Sequence, residues 1–593
     1  MVAQSSQIRV IKRWWRLLII LLAPMVLLPL PLIIKTIQIR CAYVVLLLSI
    51  YWVSEAMPYA VTSLLPLCFF PMAGILPSDR VGTNYFKDIT ILFVGSMMLA
   101  QAIEHVGLHR RLALFLLSVI SSSIKWIMAG LMGVTAFISM WINNSAATSI
   151  MIPAAIAIVE ELQKHHSTAQ QQVTNQNDEI VDTKPENISP IEVTVAFDDS
   201  CYMNAEKSEH LDTEGTITID MNNQVVVDNT QKRYQQLKTG FLIAVAYSAA
   251  IGGLATLVGT GPNIFIKGFT DEFYSKGQHA FEITFTNFLL FALPTGIIML
   301  LCCWLWLQLL YNRQELLFWL KKDRKAIESQ HHLRSVLKKQ YEELGSFNWR
   351  EYIITILFVS MVALWVTRDF SSYSGWKVIF RKDYVTDGTI ALLIGTLPLI
   401  LPDKNPFHKD WQYHPILRWE QICKTFPWGV FMLQGAGLAI ADGFKASDLS
   451  SMLASFLQFV VGASDITVIF VTILISAIFT EFTSNLTCAS ILFPILDSVA
   501  NTAKIHAARL ILPSCMAVSL SFMLPIATPP NAMIFSSGNV RMIDLIKVGF
   551  GMKVIGIMII LFSSTILLSP IFHIQSLISN LNETSLFNDT TRQ

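Results

Sequence analysis

Apolar stretches recur along the whole chain, near 17–34, 41–58, 60–77, 89–105, 239–267, 285–311, 351–367, 388–402, 426–443, 508–536 and 549–570. Runs of about 17 to 25 apolar residues are long enough to cross a bilayer as helices. Inside lipid every backbone amide must find its partner within the protein, so helices are the form such runs take. The expected fold is an all-α polytopic membrane protein with about eleven transmembrane helices. Composition agrees, since 53% of the residues are hydrophobic and only 14% are charged, against roughly 25% charged in soluble domains. A net charge of +1 gives no footprint for nucleic acid. None of the eight cysteines forms a CxxC, and most lie in apolar runs, so neither a disulfide framework nor a zinc site is expected. The run at 17–34 is long for a signal peptide, and no small-residue cleavage site follows it.

Two further apolar regions, about 124–161 and 454–500, are broken in the middle by polar clusters, Asn143-Asn144-Ser145 and Ser484-Asn485. Polar backbone at membrane depth is tolerated only where protein or water covers it. Both regions therefore read as re-entrant hairpins. Orientation follows from Lys and Arg. Arg9, Lys12, Arg13 and Arg16 place the N-terminus in the cytoplasm, and the basic loop at 312–350 then falls on the same side. An odd number of spans puts the tail at 571–593 outside, with sequons at Asn582 and Asn588. The polar segment 163–235 has few aromatics and cannot bury enough apolar surface to fold alone. It reads as a disordered cytoplasmic insert.

The two halves repeat one pattern. Gly95 matches Gly435 at an offset of 340, and Asn144-x4-Ser149-x3-Pro153 matches Asn485-x4-Ser490-x3-Pro494 at 341. Thr260-Gly261-Pro262-Asn263 matches Thr528-Pro529-Pro530-Asn531 at 268, and the shortfall of 73 is the length of 163–235. An odd number of spans separates the hairpins, so the second unit enters from the opposite face. Inverted repeats with broken helices meeting near the membrane centre are a recurring plan of secondary transporters.

The breaks suggest the chemistry. Asn or Ser there can cap a half-helix, whose positive dipole end holds an anion without Lys or Arg. Carbonyls freed at the same breaks suit sodium. Gly252-Gly253 through Pro262, and Pro529-Pro530, cannot continue as regular helix. Each should unwind opposite a hairpin tip. Glu55 and Glu481 are intramembrane carboxylates and candidates for proton relay, with capping or pairing as the plainer reading of Glu55. His165-His166 and His331-His332 lie in polar loops and read as solvated surface. With no HExxH helix and no GxSxG elbow, no enzyme chemistry and no cofactor are expected.

Four stretches carry a resemblance to the divalent anion–sodium symporter family: Tyr51-Trp52-Val53-Ser54-Glu55-Ala56-Met57-Pro58, Ser139-Met140-Trp141-Ile142-Asn143-Asn144-Ser145, Thr480-Glu481-Phe482-Thr483-Ser484-Asn485, and Ser521 through Asn531. The resemblance implies a homodimer in the plasma membrane, with a scaffold and a transport domain moving like an elevator. Residues 1–58 would be scaffold, with repeats at 59–162 plus 236–311 and at 351–570. It places Asn144, Ser145, Thr260, Ser484, Asn485 and Thr528 against the substrate. One sodium would sit by Ser139, Asn143, Asn144 and Gly259, another by Thr480, Asn485 and Ala527. Family tips usually read Ser-Asn-Thr, where this chain has Asn143-Asn144-Ser145. The implied function is sodium-coupled import of succinate- or citrate-like anions. A sodium-independent carboxylate exchanger, a sodium–sulfate symporter, a passive anion channel and a purely structural membrane protein are the alternatives.

Overall fold

The computed structural model describes residues 2–119, 124–160, 163, 217–274, 281–313, 341–368, 375–381, 384–407, 411–449, 452, 464–525, 527–572 and 574. Among them the chain is helical, and the one strand-like pairing is an isolated bridge between Pro402 and Pro415. Eight helices among the described residues are long and apolar enough to cross a membrane. This is a multi-pass membrane protein.

Two helices lead in, α1 (Val2–Leu27) and α2 (Ile37–Ser54). The first repeat follows as α3 (Asp88–Val106), α4 (Ile124–Ser139), α5 (Asn144–Glu160), α6 (Ile217–Leu254), α7 (Gly261–Phe273) and α8 (Phe285–Tyr311). Two connecting helices, α9 (Trp349–Arg368) and α10 (Asp387–Thr396), stand between the repeats. The second repeat has the same six parts: α11 (Trp428–Ala446), α12 (Asp465–Phe479), α13 (Asn485–Ala503), α14 (Ala508–Ala517), α15 (Pro529–Ser536) and α16 (Met542–Ile566). Packing repeats too. Helix α4 lies along α6 as α12 lies along α14, and α6 meets α8 as α14 meets α16. Across the halves, α7 lies on α13 and α6 on α15, so both breaks are enclosed by residues from both repeats.

The breaks fall where the polar clusters are. Helix α4 stops at Ser139 and α5 starts at Asn144, while α12 stops at Phe479 and α13 starts at Asn485. The expected spans at 239–267 and 508–536 are each two helices, divided at 255–260 and 518–528. Three expectations need correction. The run at 60–77 is not one span but short helices Tyr59–Thr62 and Pro66–Met72, the second carrying Pro66 at its start and Pro71 inside. The run at 388–402 gives only the ten residues of α10 and a 3-10 turn, Leu397–Leu399. At 1.5 Å per residue, α10 covers about 15 Å, half a bilayer core. The insert does not remain unstructured to 235, because α6 begins at Ile217 and runs for 38 residues. Residues 164–216, most of the basic loop and both sequons lie outside the described residues.

Helices α3 and α10 touch backbone to backbone. A Cβ on Gly95 would fall 2.2 Å from the carbonyl carbon of Ala391, and one on Gly395 would fall 2.3 Å from the Gly95 oxygen. Ion pairs fix neighbouring parts: the buried pair Arg368 Nε to Asp387 Oδ1 at 2.7 Å, and exposed Arg80, whose Nη2 lies 2.5 Å from Oδ1 of buried Asp442.

Candidate functional site

The caps are one residue earlier than the paired asparagines. Asn143 caps α5, its Oδ1 accepting from the Ala146 amide at 2.8 Å. Ser484 caps α13, its Oγ accepting from the Thr487 amide at 3.2 Å. Both capping residues are exposed, and Asn144, Ser145 and Asn485 behind them are half-buried. Capping satisfies one orphan amide of each first turn and leaves the positive dipole end in place.

Asn144 and Asn485 turn their oxygens inward onto matching hydroxyls. Ser139 Oγ lies 2.7 Å from Asn144 Oδ1 and 2.7 Å from the Ala249 carbonyl. Thr480 Oγ1 lies 2.9 Å from Asn485 Oδ1 and 2.5 Å from the Val518 carbonyl. A hydroxyl has one proton to donate, so neither Ser139 nor Thr480 can serve both acceptors at once. Three oxygens therefore converge on one proton in each repeat, the surroundings a small hard cation favours. The second cluster has a fourth member, Ser521, whose Oγ donates to Asn485 Oδ1 at 2.9 Å. Its counterpart in the first repeat is Gly253.

The unwound segments are tied down by the same device. Asn263 Nδ2 donates back to the carbonyls of Gly253 at 3.3 Å, Leu254 at 3.2 Å and Thr256 at 2.7 Å. Asn531 Nδ2 donates to Ser521 at 3.0 Å and Leu524 at 3.3 Å, the same acceptors shifted by the repeat offset of 268. Thr260 and Thr528 sit at the N-cap positions of α7 and α15 with nearly equal backbone angles, and neither side chain caps its helix. Both are buried, and the Thr260 hydroxyl has no partner among the described residues. Gly259 and Ala527, just before them, are buried as well.

The intramembrane carboxylates have different fates. Glu55 is the exposed, left-handed C-cap of α2, as the capping reading has it. Glu481 is buried and clamps the second break. Its carboxylate accepts from the amides of Phe522 at 3.0 Å, Met523 at 3.2 Å and Leu524 at 3.1 Å. Lys553 Nζ pairs with it at 2.5 Å and also donates to the Ala477 carbonyl at 2.6 Å. The first repeat has no charge at this place. There Thr256 Oγ1 donates to the Met140 carbonyl at 2.5 Å instead. Sequence reasoning missed Lys553, Ser521 and the looping role of the paired asparagines. The repeat offset could have found the last, since Asn263 and Asn531 match under it, whereas Ser521 falls opposite Gly253.

Within the first repeat Ser139, Asn144, Gly259 and Thr260 gather around Gly253. A Cβ on Gly253 would fall 2.2 Å from Asn144 Oδ1, 2.9 Å from Thr260 Cγ2, and Gly259's own Cβ would fall 2.2 Å from the Gly253 carbonyl oxygen. Gly253→Ala is expected to push the Asn144 amide away from Ser139 and abolish transport with surface expression retained. The check is radiotracer uptake beside surface biotinylation. Across the repeats, a Cβ on Gly261 would touch Leu486 at 3.3 Å, Cys515 Sγ lies 3.4 Å from the Pro262 carbonyl, and Tyr247 donates to the Phe522 carbonyl at 2.8 Å. The two breaks are thus neighbours.

Comparison with known proteins accords with this arrangement. A family model described as "Sodium:sulfate symporter transmembrane region" matches residues 11–573. The chain is 34% identical over 572 residues to "Solute carrier family 13 member 2" of Mus musculus, covering 94% of each. It is 32% identical over 579 residues to "Solute carrier family 13 member 1" of Mus musculus, covering 94% of this chain and 96% of that one. With "Na(+)/dicarboxylate cotransporter 3" of Homo sapiens it shares 31% over 563 residues, 93% of this chain and 92% of the relative. The chain is therefore a transporter, not an enzyme, and belongs to the sodium:sulfate symporter family.

Proposed function

We infer that this protein imports di- or tricarboxylates across the plasma membrane, driven by sodium. The observation that carries the reading is the pair of proton-poor oxygen clusters, each adjoining a capped half-helix N-terminus. A divalent anion needs compensating positive charge. Neither tip contains Lys or Arg within 139–149 or 480–490. Sodium at the oxygen clusters and the dipole ends of α5, α7, α13 and α15 would supply it.

In this reading Asn144, Ser145, Thr260, Ser484, Asn485 and Thr528 face the anion. The first sodium is held by Ser139, Asn143, Asn144 and Gly259, and the second by Thr480, Asn485 and Ala527. The hairpins and broken helices move as one body past α3 and α9–α11 in an elevator-like cycle. Two copies pair through their scaffolds, with the N-terminus cytoplasmic and the C-terminus outside. The named dicarboxylate cotransporter among the relatives supports the carboxylate choice, while the family's description keeps sulfate as the second reading.

The test is uptake of labelled succinate, citrate and sulfate into expressing cells in sodium and in choline buffers. Carboxylate uptake is expected to fall at least about tenfold in choline, the factor that 1.4 kcal/mol of coupling carries. Equal carboxylate uptake in the two buffers would make the protein a sodium-independent exchanger. Uptake of sulfate alone would move it to the second reading.

A further inference from the structure

Gln434, on α11, is 0% exposed, yet neither atom of its side-chain amide has a hydrogen-bond partner among the described residues. Buried polar groups in proteins are nearly always paired, so a primary amide with both ends free marks a place where something else completes the bonds. Thr260, assigned above to the anion, has the same signature: a buried hydroxyl without a partner.

The register of three parallel helices puts Gln434 at the level of the site. Helices α7 and α13 run side by side, with Gly261 against Leu486 at their starts and Tyr274 bonded to Asp497 at their ends. Helix α11 follows them in the same direction. A Cβ on Gly437 would fall 2.6 Å from Ser490 Oγ and 2.8 Å from the Phe265 ring, and two turns on, Lys445 Nζ lies 5.3 Å from the Phe273 ring centroid. Stepping back three residues from Gly437 moves about 4.5 Å along the axis. That step brings Gln434 level with the first residues of α7 and α13, the height at which Thr260 and Asn485 stand.

A primary amide donates through Nε2 and accepts through Oε1. Sulfate and succinate offer only acceptors and would leave Oε1 unpaired. A hydroxylated di- or tricarboxylate offers both a carboxylate acceptor and a hydroxyl donor, and satisfies both ends. We propose that Gln434 is a further substrate-contacting residue that reads a hydroxyl group on the carboxylate anion. The inference rests on the carboxylate reading of the site and narrows it to hydroxyl-bearing members of the class.

Malate and succinate differ by that one hydroxyl, and their uptake KM values in the full-length protein test the idea. Wild type is expected to take malate with a KM about tenfold lower, the factor that one ordinary buried hydrogen bond carries. Gln434→Met keeps the length and removes both polar ends. It is expected to raise the malate KM about tenfold and to leave the succinate KM within about twofold. A wild type that handles both anions equally overturns the inference, whatever the variant does. So does a Gln434→Met protein that loses both substrates alike, since that is the mark of a helix-packing role. A wild type that carries sulfate and no carboxylate overturns the function proposed above, and is told apart by the absence of any succinate uptake.

Discussion

Asn485→Ala is expected to lower sodium-driven uptake by at least about a hundredfold while the protein still reaches the surface. Its Oδ1 receives Thr480 and Ser521 at 2.9 Å each, and its Nδ2 end is the donor left for an anion. Alanine removes a ligand of the proposed second cation and a donor to the anion in one step. Hydrogen bonds to charged groups are worth about 1.5–3 kcal/mol each, and two such losses give roughly 3–6 kcal/mol. At 1.4 kcal/mol per decade, that is about two to four decades of rate. Asn144→Ala should behave alike, with a smaller loss of sodium affinity, because Gly253 supplies no counterpart to Ser521. Sodium activation curves for the two variants, normalised to surface protein, check both statements. A fully active Asn485→Ala protein would remove the site from the hairpin tips.

Glu481→Leu carries the largest expected loss of stability. Glu481 is 4% exposed and Lys553 is 6% exposed, so each depends on the other for its charge. Removing one partner of a buried pair costs about 3–5 kcal/mol, because the remaining charge is left uncompensated. Three amides of the unwound segment, Phe522 to Leu524, lose their acceptor as well. The double variant Glu481→Leu with Lys553→Met is expected to recover most of the stability, since an apolar pair of similar volume often replaces a buried ion pair without loss. It should still not transport, because the loop that carries Thr528 has lost its anchor. Thermal unfolding in detergent reads the stability, and uptake reads the loop. If the double variant transports normally, Glu481 serves stability alone.

The sequence made the breaks visible and left the clamps hidden. Polar residues at Asn143-Asn144 and Ser484-Asn485 stand out because a long apolar run has no other use for them, and the offset between them located the second copy. Lys553 gave no such signal. It is one of three charges in a largely apolar helix, and its partner is 72 positions earlier, so only the fold brings them together. The start of α6 was hidden for the opposite reason. Residues 217–230 mix Ile217, Ile219, Met221 and Val225–Val227 with Asp, Asn, Gln and Thr, and so offer no run of apolar residues long enough to count as a span. The run at 60–77 misled because hydropathy counts its leucines and phenylalanines and ignores the prolines that divide it. Gln434 reads as an ordinary helix residue, and only its burial without a hydrogen-bond partner among the described residues gives it meaning.

The 38 residues of α6 set a mechanical condition on the first break. At 1.5 Å per residue the helix is roughly 57 Å long, nearly twice the thickness of a bilayer core. Its apolar part is the last 24 residues, Gln231–Leu254, which by itself spans the lipid. The first 14 residues therefore extend roughly 21 Å beyond it as an unbroken rod. One end of that rod joins the polar segment, and the other ends at Gly253 and Leu254, against Asn144 and the unwound loop. A continuous helix resists bending and twisting, so a push or a turn applied in water arrives at the loop undiminished. The first turns of α6 are thus geared by a shaft to the loop at the first break.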